Sequence, residues 1–98
     1  MEKHKPHCPL PIIQALVKEG KVHATKVAVD SAYILGFNLE EMISVVLSLT
    51  IRDFYKSMTT YADHKVWQDV YHPMTKAGKI YLKLMVIDEV VIMSFKEF

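Results

Sequence analysis

The sequence predicts an α+β fold: N-terminal helices packed on a C-terminal antiparallel β-sheet. Three observations carry the prediction. Apolar residues recur every three to four positions as far as Leu49, and from Phe54 onward the period drops to two. Gly20, Gly36 and the pair Asn38 and Glu41 punctuate the first half where helices would stop and start. Asp88-Glu89 divides the last apolar stretch into two alternating runs, as a turn between strands would. Helices that must bury one stripe and a sheet that must bury one face satisfy each other by packing together.

Each element follows in order. Pro11 suits the first turn of a helix, where its missing N–H costs nothing, and Ile12, Ile13, Leu16 and Val17 form the buried stripe before Gly20. A second helix runs from about Thr25 to Leu35, with Val27, Ala28, Ser31, Ala32 and Leu35 inward and Gly36 as its stop. Asn38 and Glu41 make a capping box that opens a third helix through about Leu49, burying Met42, Ile43, Val46 and Leu47. The first strand is expected over Phe54–Tyr61, with Phe54, Lys56, Met58 and Thr60 on one face and Tyr55, Ser57, Thr59 and Tyr61 on the other. Ala62-Asp63-His64 reads as a turn, Val66–Tyr71 as the second strand, and Met74–Gly78 as a loop. The third strand, Lys79–Ile87, alternates Ile80, Leu82, Leu84 and Val86 with Lys79, Tyr81, Lys83 and Met85. In the fourth, Val90–Lys96, Val91, Met93 and Phe95 oppose Val90, Ile92, Ser94 and Lys96.

Composition narrows the function. Ninety-eight residues are expected to form one domain, 1–98, and 51% hydrophobic with 23% charged residues is too apolar for a disordered chain. No apolar run approaches the ~18–20 residues of a membrane span, and Met1–Pro6 has no signal-peptide character. The single cysteine, Cys8, suits a reducing compartment, so a cytoplasmic location is expected. Twelve basic against eleven acidic residues give +1, so no global field points to nucleic acid. Lysines nevertheless concentrate before residue 27 and between Lys76 and Lys83, and Arg52 is the lone arginine.

No phosphate-binding glycine loop, Cys-x-x-Cys, His-Glu-x-x-His or Gly-x-Ser-x-Gly is present. His4, His7 and Cys8 with His23 lack the spacing of a metal site, and no cofactor is expected. The sheet is more informative. If Lys56, Gln68, Tyr81 and Lys96 share its solvent side, that side carries the cationic, amide and phenol groups a metal-free phosphodiester cleavage needs. Lysine stabilises the added charge of a pentacoordinate phosphorus, and a phenol or lysine can move a proton. A second route gives the proton to His64 or His72, whose ordinary pKa near 6.5 suits the task.

The run Phe54-Tyr55-Lys56-Ser57-Met58-Thr59-Thr60-Tyr61, then Asp63-His64, then Trp67-Gln68-Asp69-Val70-Tyr71 closely resembles the MqsR family of bacterial toxins. Met1-Glu2-Lys3, Pro6-His7 and the closing Ser94-Phe95-Lys96-Glu97 extend the resemblance over essentially the whole chain. The resemblance implies a RelE/YoeB-like fold and an mRNA interferase that cuts at GC-containing triplets such as GCU without a metal. It implies control by a zinc-binding, DNA-binding antitoxin of the MqsA type, through which operator DNA is contacted indirectly. It places catalytic residues at Lys56, Gln68 and Tyr81, with Lys96 as a further candidate and Met58 lining the site. Lys83, on the Tyr81 face, and His72 are the other expected substrate contacts.

His72 stands where the family pattern leads one to expect arginine, and the 74–79 loop and first helix also depart from it. Those departures bear on the triplet preference more than on the reaction. A non-catalytic module that stacks bases on Tyr55, Tyr61 or Trp67 is the competing expectation; strand parity opposite Gln68 assigns Trp67 to the core instead. Either the fourth strand or the Ser57–Tyr61 stretch of the first is expected as the open edge on which a partner chain adds.

Overall fold

Three helices lie against one face of a twisted sheet in the computed structural model, which describes residues 1–98. The order is β1 (Glu2–Lys3), α1 (Leu10–Lys18), β2 (Val22–Ala24), α2 (Lys26–Ile34), α3 (Leu39–Ser48), a 3-10 turn (Ile51–Asp53), β3 (Phe54–Thr59), β4 (Trp67–Tyr71), β5 (Met74–Thr75), β6 (Gly78–Ile87) and β7 (Glu89–Glu97). No helix is long and apolar enough to cross a membrane.

The helix ends obey local chemistry. Gly20, at φ 81°, ends α1: its amide reaches the Val17 carbonyl at 3.0 Å, and that of Lys21 reaches Leu16 at 3.0 Å. Gly36 repeats the motif after α2 at φ 87°. The Thr25 hydroxyl accepts from the Ala28 amide, and Asn38 and Glu41 exchange side-chain-to-backbone bonds of 2.8 and 3.0 Å. The stripes differ slightly from expectation. Ile12, Val27 and Leu47 face outward, while Leu10 and Leu49, just outside the expected stripes, are buried. Each buried face is set by the arc that meets the sheet, and a neighbour about 100° round the helix falls off it.

The sheet order is β1-β3-β4-β6-β7-β2, with β5 folded back on β6. Every pairing is antiparallel except one: β2 lies parallel to β7, Val22 beside Val90 and Ala24 beside Ile92. The expected all-antiparallel sheet is therefore mixed. Neither expected edge is a bare edge along its full length. β2 pairs with the start of β7, and β1 pairs with β3 at Ser57 and Met58, so the outermost strands have three and two residues. Such short edge strands leave little template for edge-to-edge pairing.

Two bulges alter the alternation. Phe54 pairs with Tyr71 but Lys56 with Val70, so Tyr55 is the extra residue in β3. Lys83 pairs with Ser94 but Leu84 with Ile92, so Met93 is the extra residue in β7. Phe54 consequently joins the helix side, its ring packing edge-on to Tyr71 at 5.4 Å, and parts from Lys56. Phe95 likewise joins Val90 and Ile92 rather than Val91. The core thus combines Ile13, Val17, Ala28, Ala32, Met42 and Val46 with Tyr71, Ile80, Leu82, Leu84, Ile92 and Phe95.

Candidate active site

The registers place the expected site residues on the sheet face turned away from the helices. Tyr81 lies opposite Lys96. One row crosses Lys56, Val70, Lys83 and Ser94, and the next crosses Met58, Gln68, Met85 and Val91. Lys56, Met58, Gln68, Tyr81, Lys83 and Lys96 therefore share one face across four strands. Gln68 sits between two methionines and is only 6% exposed, so its amide is held at the floor rather than waving in solvent.

His72, one residue past β4, completes the arrangement. Its ring is stacked on Tyr55 at 4.5 Å, meets Phe98 edge-on at 4.5 Å, and lies 5.8 Å from Tyr81. These four rings with Lys96 and Glu97 line an open pocket of about 560 Å³. The Lys96 ammonium stands 5.2 Å from the Tyr81 ring centre, within cation–π reach. The bulge at Tyr55 is what brings this tyrosine to His72; regular alternation assigns it to the other face. Phe98 and Glu97 are the pocket residues that sequence reasoning missed; Tyr55 is expected from sequence only as a base-stacking residue on the opposite face, because no local signal announces the bulge.

The electrostatics separate proton holders from proton acceptors. Lys56 is ion-paired with Glu2, and that bond raises the ammonium's pKa while lowering that of the carboxylate. Burial raises the Tyr81 pKa, with Lys56 pulling the other way, so the phenol keeps its proton at neutral pH. Burial lowers the Lys83 pKa, helped by the neighbouring Lys96 charge. Burial, with a contribution from Lys79, lowers the His72 pKa below 6.5. At neutral pH, Lys56 and Tyr81 are donors and His72 is an unprotonated imidazole.

That shift has a stability consequence. The unfolded chain binds a proton at His72 more readily than the folded one, so stability is lost as pH falls through 6.5. The His72 Nε2 is also buried without a partner. His72→Phe, which keeps the ring and removes both nitrogens, is expected to lose less thermal stability than the parent between pH 7 and pH 5. Melting curves across that range check it; an unchanged pH slope overturns the assignment.

Other candidates lie elsewhere. His64 is exposed in the β3–β4 turn and Tyr61 is fully exposed, so neither reaches the pocket. Trp67 is half-buried rather than core: the Lys3 ammonium lies 4.2 Å over its ring and His7 stacks on it at 5.5 Å. No three His, Cys, Asp or Glu side chains converge as a metal site, so His4, His7, Cys8 and His23 do not assemble.

The chain is similar to known proteins along nearly its whole length. The family described as "Motility quorum-sensing regulator, toxin of MqsA" matches residues 5–97. The mRNA interferase toxin MqsR of Escherichia coli (strain K12) is 48% identical over 97 residues, covering 99% of each chain. A match that runs unbroken from the N-terminal segment to the last strand, and takes in every strand that builds the open face, shows that this chain belongs to the MqsR toxin family.

Proposed function

We propose that the protein is the toxin of a toxin–antitoxin pair, an endoribonuclease whose single domain, residues 1–98, cuts messenger RNA on the open sheet face. The observation that carries the reading is the convergence of Lys56, Gln68, Tyr81 and Lys96 on that face, from four different strands. Three lysines there attract a phosphodiester, and the ring-lined pocket beside them suits a nucleobase. The 2′-hydroxyl attacks the adjacent phosphorus, its proton passing to the unprotonated His72. Lys56 and Lys96 hold the two developing charges on the pentacoordinate phosphorus. Tyr81, which keeps its phenolic proton, gives it to the departing 5′-oxygen, and Gln68 orients the ribose or base. Met58 supplies apolar contact beside Gln68. The products are a 2′,3′-cyclic phosphate and a 5′-hydroxyl.

In this reading cleavage needs no metal and favours GC-containing triplets such as GCU. The activity belongs in the cytoplasm, where a zinc-binding, DNA-binding antitoxin of the MqsA type restrains it and makes any contact with operator DNA. The test is purified protein with a defined transcript in EDTA. Discrete cuts carrying cyclic-phosphate ends are expected. Loss of cutting in EDTA with recovery on adding magnesium overturns the metal-free mechanism, and no discrete cutting at all favours the binding-module reading. In cells, expression alone should arrest growth and co-expression of the antitoxin should restore it.

A further inference from the structure

The Lys56 ammonium is not free on the site face: it is held by Glu2, a residue 54 positions away. Glu2 owes its place to an N-terminal strap. β1 pairs Glu2 with Met58 and Lys3 with Ser57, which turns the Glu2 side chain to the open face beside Lys56 and Lys3 to the other. The strap then crosses the helix-side face of β4 before entering α1. There it meets Asp69, a carboxylate only 3% exposed. Asp69 accepts from the His7 amide at 3.0 Å, the Cys8 amide at 3.1 Å and the Ser57 hydroxyl at 2.6 Å. Trp67 adds a second clasp, between Lys3 and His7.

A buried carboxylate is costly unless its oxygens are satisfied. Here the donors are two strap amides and a β3 hydroxyl, so the burial of Asp69 fixes the strap to the two strands that carry Lys56 and Gln68. A lysine side chain left alone samples many rotamers, and holding it in one costs conformational entropy. The strap meets that cost during folding instead of at each turnover.

We propose that the strap is a working part of the active site: Glu2 is a positioning residue that fixes Lys56 for the transition state, and Asp69 is its buried anchor. This rests on the nuclease reading. It carries a kinetic signature. Pinning an ammonium helps only where charge develops, whereas a carboxylate beside it weakens ground-state attraction for phosphate. Glu2→Gln should therefore lower kcat by about tenfold without raising KM, since orientation is lost and repulsion is relieved. Asp69→Asn should lower kcat similarly, and the double variant should be little worse than either alone.

The experiment measures kcat and KM on an RNA carrying one cleavable triplet. In parallel, the lysines are ¹³C-dimethylated and observed by NMR, with Lys56→Arg used to assign the Lys56 signal. A Lys56 signal displaced from the other lysines is expected in the parent, collapsing toward them in Glu2→Gln and in folded Asp69→Asn. Should Asp69→Asn fail to fold, Glu2→Gln decides alone, because its side chain is surface-exposed. A parent that cuts no RNA overturns the nuclease reading, whatever the Lys56 signal does. A parent that cuts beside a Glu2→Gln protein of unchanged kcat, or of raised KM, overturns the strap proposal alone.

Discussion

Lys56→Ala is expected to slow RNA cleavage about 10²–10³-fold while leaving the fold in place, the scale seen when one preorganised charge-stabilising group is removed. The residue is suited to that effect. Its ammonium is held protonated by Glu2, stands on the shared face of four strands, and flanks the fully buried Val70 across the ladder. It forms no part of the helix-side core, so truncation opens no core cavity. Gln68→Ala and Tyr81→Phe should also lower cleavage strongly, the second by removing only a phenolic proton donor. Single-turnover cleavage alongside circular dichroism makes the check. The site assignment fails if Lys56→Ala keeps cutting while a histidine variant is inactive.

On the other face, Phe95→Ala is expected to cost about 3–5 kcal/mol, enough to unfold a large fraction of a marginally stable small domain. Phe95 is fully buried, meets Phe37 edge-on at 4.9 Å, and lies opposite Leu82. Its removal leaves a hole that helices and sheet cannot close together. Tyr71→Phe is the contrast. Tyr71 is equally buried, but its hydroxyl has no partner and the burial drives its pKa far up. Deleting that oxygen keeps the ring and should cost under ~1 kcal/mol, or stabilise. Urea unfolding of both proteins tests the pair; equal losses would contradict the reading of Tyr71.

Sequence reasoning reached the elements whose signals are local. The three helices and their glycine and Asn38–Glu41 ends follow from patterns within a few residues, and so do β4, β6 and β7. Lys56, Gln68, Tyr81 and Lys96 could be placed on one face because β4 and β6 carry no extra residue, and Lys56 and Lys96 each lie in a regular run to one side of the bulge in their strand. What was not legible is nonlocal. β1 and β2 are too short for any periodicity and exist only through partners 54 or more residues away. A bulge leaves no mark in composition, so simple alternation puts Tyr55 and Phe95 on the wrong faces. The clasp of Asp69 on the strap combines both difficulties: nothing near Asp69 in sequence suggests that its ligands are the amides of His7 and Cys8.

The position of β7 has a consequence for when the protein can be dangerous. β7 comes last of the strands in the chain, yet it lies inside the sheet, between β6 and β2, and α1 and α2 pack on it. α1 can meet α3 earlier, but neither α1 nor α2 has its sheet surface until the last strand has emerged. Contacts of such long sequence separation form late and slow folding. Lys96 belongs to β7 itself and Phe98 follows it, so the open face stays incomplete for as long as this segment remains in the ribosome. At about 5–20 residues per second, synthesis occupies several seconds. Throughout that interval the open face, with whatever chemistry it performs, is not yet assembled.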